Sequence, residues 1–289
     1  FTAANWNQPK KIQVQAVDDR VDEEDELAFI SNKVSSADSG YDGLTAGSVD
    51  VMVTDNDEAA VFVSLADDKS LVEGESVSYK VKLGSQPTSA VEVSINTDGQ
   101  TKATPAVLTF NAGNWDQLQT VQMQAADDQV DEVPDSQPSL VDHSVSSAVD
   151  VYQDMTIDSH TIVVVYNDTA GIKVSPLNIT TPIGGRTSYV VRLLTQPVDD
   201  VLVEVLPSGE VRAKETCTSE EGPTACIIIA PSNWQTAQVV TLRGLSKGSG
   251  QIDHKVISSD TQYDGMAAET VHITIDGDAN LFLPVVSLR

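Results

Sequence analysis

Phe110-Asn111-Ala112-Gly113-Asn114-Trp115, followed shortly by Val121-Gln122-Met123-Gln124-Ala125, decides how this chain is read. The phrase stands earlier as Phe1-Thr2-Ala3-Ala4-Asn5-Trp6, ahead of Ile12, Val14 and Ala16. It returns as Ile229-Ala230-Pro231-Ser232-Asn233-Trp234, ahead of Val240, Leu242 and Gly244. Gln13, Gln15, Gln122, Gln124, Thr241 and Arg243 fill the alternate positions. Period two with one apolar and one polar face is the pattern of a half-buried antiparallel strand. No segment sustains a helical period.

A second phrase keeps step with the first: Asp55-Asn56-Asp57, Asn167-Asp168 and Asp276-Gly277-Asp278. Asp57, Asp168 and Asp278 lie 111 and 110 residues apart. A fixed period of this size means tandem copies of one domain, an arrangement that builds length. A unit of about 110 residues can bury its own core and has the size of an immunoglobulin-like sandwich. The expected fold is all-β: tandem antiparallel Greek-key (immunoglobulin-like) β-sandwiches arranged as an extended rod. Residues 1–58 read as the C-terminal part of repeat 1, 59–168 as repeat 2, 169–279 as repeat 3 and 280–289 as the start of the next repeat.

In repeat 2, seven strands are expected at 59–65, 76–83, 91–97, 106–110, 118–126, 140–146 and 161–165, separated by Gly, Pro, Asp and Asn. Each Trp should cap the core where the fifth strand begins. Tyr41, Tyr152 and Tyr263 each follow a valine (Val34, Val145, Val256) by seven residues. They read as corner residues, with the ring packed and the hydroxyl hydrogen-bonded.

The net charge is −26, unevenly spread. Residues 1–58 carry 13 acids and 4 bases, 59–168 carry 17 and 4, and 169–289 carry 13 and 9. Such a surface repels nucleic acid and anionic lipid and attracts cations. No apolar stretch is long enough for a membrane helix. Cys217 and Cys226 read as two arms of a hairpin that can bridge in an oxidising compartment. The alternative, a metal pair, lacks nearby ligands. Asn167-Asp168-Thr169 and Asn178-Ile179-Thr180 are glycosylation sequons. With the repeats, these features favour an extracellular setting.

The acids gather in loops. Asp18-Asp19-Arg20-Val21-Asp22-Glu23 follows the Trp-led strand of repeat 1, and Asp127-Asp128-Gln129-Val130-Asp131-Glu132 follows that of repeat 2. Four carboxylates in six residues repel one another unless something neutralises them. Hard oxygen donors on a loop suit calcium, and zinc or copper lacks its His or thiolate set. Glu73 in Val72-Glu73-Gly74-Glu75 and the terminal Asp168 add acids at other strand ends. The alternative is a solvated acidic coat. Repeat 3 serves as a comparison. Ser246, Lys247, Ser249 and Gly250 stand where the loop acids would be, and Ile183-Gly184-Gly185-Arg186 replaces the Glu73 segment. Both elements vanish together, as the parts of one shared site would.

Glu73-Gly74 before a strand, the Asp-Asp-x-Val-Asp-Glu loop and Thr54-Asp55-Asn56-Asp57 resemble the Calx-beta domain and related surface repeats. The Asn-Trp phrase with its alternating strand is similar to tandem, cadherin-like immunoglobulin-type repeats of large extracellular adhesins. The resemblance implies calcium (Ca2+) at one tip of each sandwich. Carried over by position, the ligands are Asp18, Asp19, Asp22, Glu23, Asp55 and Asp57 in repeat 1. In repeat 2 they are Glu73, Asp127, Asp128, Asp131, Glu132 and Asp168. Repeat 3 departs from the pattern and receives no site. A glycan on Asn167 would crowd the repeat 2 tip.

His143, His160, His254 and His272 have no catalytic motif partner, and phosphate-cradling glycine loops are absent from the sequence. The expected function is non-enzymatic: a calcium-stiffened array in a cell-surface fibre, appendage or adhesin stalk. Its expected partners are neighbouring repeats, identical chains in a filament, or cell-surface glycans. The alternative is a glycan- or protein-binding module that recognises its target through the Cys217–Cys226 loop.

Overall fold

The computed structural model describes residues 1–66, 69–219 and 222–277. The fourth repeat expected at 280–289, together with Asp278, lies outside the described residues. The protein is all-β. Its strands are β1 (Glu26–Lys33), β2 (Thr45–Val53), β3 (Val61–Val63), β4 (Lys69–Val72), β5 (Ser76–Leu83), β6 (Val91–Thr97), β7 (Thr101–Thr104), β8 (Val107–Phe110), β9 (Gln119–Ala125), β10 (Ser136–Ser147) and β11 (His160–Val165). They continue as β12 (Ile172–Ser175), β13 (Asn178–Pro182), β14 (Arg186–Leu193), β15 (Val201–Gly209), β16 (Val211–Ala213), β17 (Cys217–Ser219), β18 (Gly222–Thr224), β19 (Cys226–Ile229), β20 (Gln238–Gly244), β21 (Gly248–Ser258) and β22 (Val271–Asp276).

The period in the sequence is a period in the hydrogen bonds. Repeat 2 forms a five-stranded sheet in the order β4-β11-β10-β6-β8 and a four-stranded sheet β3-β5-β9-β7. Repeat 3 forms β13-β22-β21-β15-β19 and β12-β14-β20-β16, the same two orders. Only the small β17-β18 sheet is added. In both repeats the opening segment serves both sheets: a first short strand joins one and a second joins the other. Two short strands, β4 and β7, were not expected from the sequence. Lys69–Val72 buries only Leu71, and Thr101–Thr104 turns a threonine and an alanine inward, so neither shows an apolar alternation in sequence.

Contacts divide the chain into two compact units. The first comprises Phe1–Leu71, Glu75–Ala126 and Pro138–Val163, and the second Val72–Gly74, Asp127–Gln137 and the chain from Val164 onward. In the first unit, Tyr79, Val81, Val91, Val93, Phe110, Val121 and Met123 are almost wholly buried. In the second, one core gathers Tyr189, Val191, Val201, Val203, Leu242, Ile252, Ile273 and Ile275 from both sheets of repeat 3. At about 25 cal/mol per Å2, burial of such side chains contributes roughly 1.5–3 kcal/mol each.

Tyr152 and Tyr263 are the corner residues the spacing implied. Tyr152 Oη donates to Ser85 O at 2.7 Å and accepts the Ser85 N–H at 3.1 Å. Tyr263 makes the same pair with Thr195, at 2.8 and 3.2 Å. Tyr41 does not: it is 60% exposed. Trp115 and Trp234 are half-buried at the rim of their sandwiches, while Trp6 is exposed. The alternating run at Ile12, Val14 and Ala16 forms no strand. Its counterpart β9 lies between β5 and β7, and residues 1–58 have no equivalents of those two strands to complete its ladder. Repeat 1 therefore keeps only the β1-β2 pair, in which Glu26 opposes Val53 and Lys33 opposes Thr45.

Candidate metal centre

The acidic loop of repeat 2 is the connection between β9 and β10. Its partner is the turn after β4, where Gly74 takes φ 78°, a conformation that strains an L side chain. Beside it Glu73 is buried at 6% exposure. The Glu73 N–H donates to Val165 O at 3.0 Å, and its Oε2 accepts the Asn167 N–H at 3.3 Å. Backbone contacts thus fix a carboxylate that water does not reach.

Glu73, Asp128 and Glu132 each bring one ligand oxygen within 4.8 Å of the other two. Glu132 Oε2 is buried without a hydrogen-bond partner. An orphaned carboxylate oxygen is costly to bury, and a cation is the species that would satisfy it. Desolvation, and behind it the charges of Asp128 and Glu73, push the Glu132 carboxyl up to about 7. Desolvation also raises Glu73, helped by Asp128, Asp168 and Asp127. Asp168 is raised by desolvation and then by Asp128, Asp127 and Asp131. All six residues expected in repeat 2 therefore act within one electrostatic environment.

Asp131 has a different job. Its Oδ2 accepts the Ala170 N–H at 2.7 Å, tying the loop to the first residues of repeat 3. Asp128 Oδ1 accepts Val130 N–H at 2.8 Å and shapes the loop itself. Gln129 O accepts the Gln196 N–H at 2.6 Å.

Repeat 1 reproduces this lacing bond for bond. Asp22 Oδ2 accepts Ala59 N–H at 2.8 Å, Asp19 Oδ1 accepts Val21 N–H at 2.9 Å, and Arg20 O accepts Gln86 N–H at 2.6 Å. Asp55 Oδ2 accepts Glu23 N–H at 3.1 Å, and Asp25 Oδ1 accepts Asp55 N–H at 2.9 Å. Asp25 was missed from the sequence, hidden inside the run of acids. Desolvation and the charges of Asp55, Asp18 and Asp19 raise Asp57, against a lowering by Arg20. Among the described residues, however, Asp18, Asp19, Asp22, Glu23, Asp55 and Asp57 form no group as tight as the one in repeat 2.

In repeat 3 the scaffold survives and the chemistry is gone. Ile183 stands in the place of Glu73 and donates its N–H to Asp276 O at 3.2 Å, while Gly184 takes φ 70°. The acidic loop is replaced by a three-residue turn, since β20 ends at Gly244 and β21 opens at Gly248. Ser249 and Gly250, expected at loop positions, lie in β21 instead. They pair with Thr274 and Ile273 inside the sheet. The spacing from Trp to the strand valine, 28, 30 and 22 residues in the three repeats, carried that signal.

Cys217 and Cys226 form a disulfide, with Cα atoms 5.7 Å apart, across the hairpin that contains β17 and β18. Asn178 opens β13 with its side chain exposed. Asn167 is exposed as well, but its Nδ2 donates to Glu73 O at 3.4 Å, beside the acidic group. The core histidines are held by tyrosines. Tyr79 Oη meets His143 Nε2 at 2.9 Å, and Tyr189 Oη meets His254 Nε2 at 2.8 Å. His254 Nδ1 reaches Glu269 O at 3.0 Å, whereas His143 Nδ1 is buried without a partner.

No family model matches the chain, and no curated protein matches it in sequence. Solved structures do show likeness. A crystal structure of CBD12 from CALX1.2 is 13% identical with a TM-score of 0.31, over 72% of this chain and 97% of that one. The calcium binding domain CBD12 of CALX1.1 is 14% identical with a TM-score of 0.34, over the same shares. Domains 4 and 5 of the S-layer protein SbsC are 16% identical with a TM-score of 0.28, over 48% of this chain and 65% of that chain.

Proposed function

We propose that this chain is a non-enzymatic tandem-repeat segment of an extracellular or cell-surface protein whose second repeat binds calcium. One observation carries the reading: Glu132 Oε2 is buried without a partner inside a group of three carboxylates within 4.8 Å. Glu73, Asp128 and Glu132 would hold the ion, with Asp127 and Asp168 beside them. A hard, oxygen-seeking cation supplies the positive charge that this set lacks. The protein fixes the buried Glu73 through Val165 and fastens the loop through Asp131 and Ala170. Neutralising the carboxylates removes the repulsion that would otherwise loosen that lacing, so the ion stiffens the loop. The Cys217–Cys226 disulfide supports an oxidising location.

The test is a calcium titration by calorimetry, with thermal unfolding in calcium and in chelator. At a hundredfold excess over Kd, binding adds about 2.7 kcal/mol of stability. An absence of heat and of any thermal shift would return the loop acids to a solvated coat. A second reading, recognition through a unit-specific loop, is favoured by the β17-β18 hairpin, which repeat 2 lacks. Deleting 218–225 and assaying adhesion tests it.

A further inference from the structure

Five of the eight bases of repeat 3 (169–279) lie on one of its two sheets. Strands β12, β14, β20 and β16 contain no Asp or Glu and carry Lys173, Arg186, Arg192, Arg243 and Arg212. All five side chains are exposed. Register makes them neighbours. Arg186 opposes Arg243, and Arg243 opposes Arg212, giving a row of three arginines across three strands. Lys173 opposes Arg192 in a second row. Between the rows lie Ser188 and Thr241, also paired. A salt bridge from Glu215 reaches Arg212 at 3.7 Å, with both side chains largely exposed. Among the described residues, Arg186 and Arg243 have no carboxylate partner. The equivalent sheet of repeat 2 follows the same rule. Strands β3, β5, β9 and β7 hold no acid, and they carry three of that repeat's four bases, Lys80, Lys82 and Lys102.

Like charges directly opposed across a sheet destabilise it. Three adjacent arginines therefore mark a surface suited to an anionic partner, which guanidinium groups recognise as carboxylates in bidentate fashion. The same chain carries such a partner. Asp22-Glu23-Glu24-Asp25-Glu26 is five consecutive acids. Asp22 and Asp25 are turned to backbone N–H groups of Ala59 and Asp55, while Glu23, Glu24 and Glu26 are exposed.

We infer that the basic face of repeat 3 docks the acidic run Asp22–Glu26 of a second copy of this chain. The two patches differ and lie in different repeats, so each copy keeps one of each free for the next. Such a heterologous contact does not close on itself and grows into open assemblies. The net charge of −26 repels a free polyanion and a second copy alike at range, so the contact rests on the local match between the arginine row and the five-acid run that every copy carries. The contact is independent of the Glu73 group, which none of these basic residues joins.

The experiment is sedimentation velocity of the whole chain at about 20 mM and about 500 mM salt, where the screening length falls severalfold. Calcium is held constant. Species larger than the monomer at low salt, reverting to monomer at high salt, are expected. Arg212→Glu with Arg243→Glu should abolish association, as should Glu24→Lys with Glu26→Lys. An equimolar mixture of the two variants should restore a heterodimer, which a merely misfolded variant could not do. A monomer under all conditions overturns the proposal. So does wild-type chain that stays monomeric yet is retained on immobilised heparin, which would assign the face to a sulfated polysaccharide.

Discussion

Asp131 Oδ2 accepts the Ala170 N–H at 2.7 Å, and one period earlier Asp22 Oδ2 accepts Ala59 N–H at 2.8 Å. Two of the acids that the motif offered as ligands are therefore fasteners. Each carries the chain from an acidic loop into the first residues of the following repeat. Asp131→Ala should cost about 1.5–3 kcal/mol, the range for a hydrogen bond to a charged group, and Asp131→Asn less. Urea denaturation of the two variants checks the order.

Glu132→Gln removes the charge that the buried site cannot solvate. In chelator the variant should unfold at a temperature equal to or above wild type, because the repulsion from Glu73 and Asp128 is relieved. In calcium it should lose the ligand-induced shift. A variant that is destabilised in chelator would show that the ionised carboxylate is satisfied by the protein alone.

The pH dependence of the metal-free protein follows from the same group. Glu132 titrates at about 7 in the folded chain, against 4.5 for the unfolded reference. Between those values the folded state holds the extra proton, so raising pH removes stability. Metal-free protein should melt a few degrees lower at pH 8 than at pH 5.5, each kcal/mol being worth roughly 2–4 °C. Saturating calcium should flatten or reverse that slope.

His143 gives the opposite sign. Burial, and then His160, lower it to about 4 from the ordinary 6.5. The unfolded state takes up the proton first, so its contribution is whole above pH 6.5 and is lost as pH falls toward 4. His143→Gln should flatten the acid limb of a stability–pH curve, measured by denaturant melts from pH 4 to 7.

The corner tyrosines provide an internal pair. Tyr152→Phe strips Ser85 O and N–H of a buried partner and should cost about 1–3 kcal/mol. Tyr41→Phe, at an exposed side chain, should be close to neutral. Equal effects would contradict the difference in burial.

The fold was legible wherever the chain had room to repeat itself. β5 and β6 fall on the expected residues because eight and seven positions suffice to display period two. β4 and β7 escaped because each turns at most one strongly apolar side chain inward, Leu71 in β4 and none beyond Ala103 in β7, whereas the equally short β8 buries Leu108 and Phe110. Ile12 and Val14 have the strand pattern without the strand, since alternation states a preference and only neighbouring strands complete a ladder. At the candidate site, the pairing of Glu73 with Asp128 and Glu132 followed from their joint loss in repeat 3. The fastening roles of Asp22, Asp25 and Asp131 did not, because a carboxylate bound to a backbone N–H and one awaiting a cation read alike in sequence. The arginine row was equally hidden: Arg186, Arg212 and Arg243 are far apart in the chain and become neighbours only through register.

The opening segment of repeat 3 sends β13 alongside the closing strand β22 in parallel, Asn178 to His272 through Pro182 to Asp276. A pull entering through the start of that repeat and leaving through its end would draw these two strands past each other along their length. The rungs between them would be loaded together, in shear, rather than peeled apart singly as in an antiparallel hairpin opened from its tip. Resistance to such a load would rest on the order of the strands, in the repeat where a three-residue turn stands in place of the acidic loop.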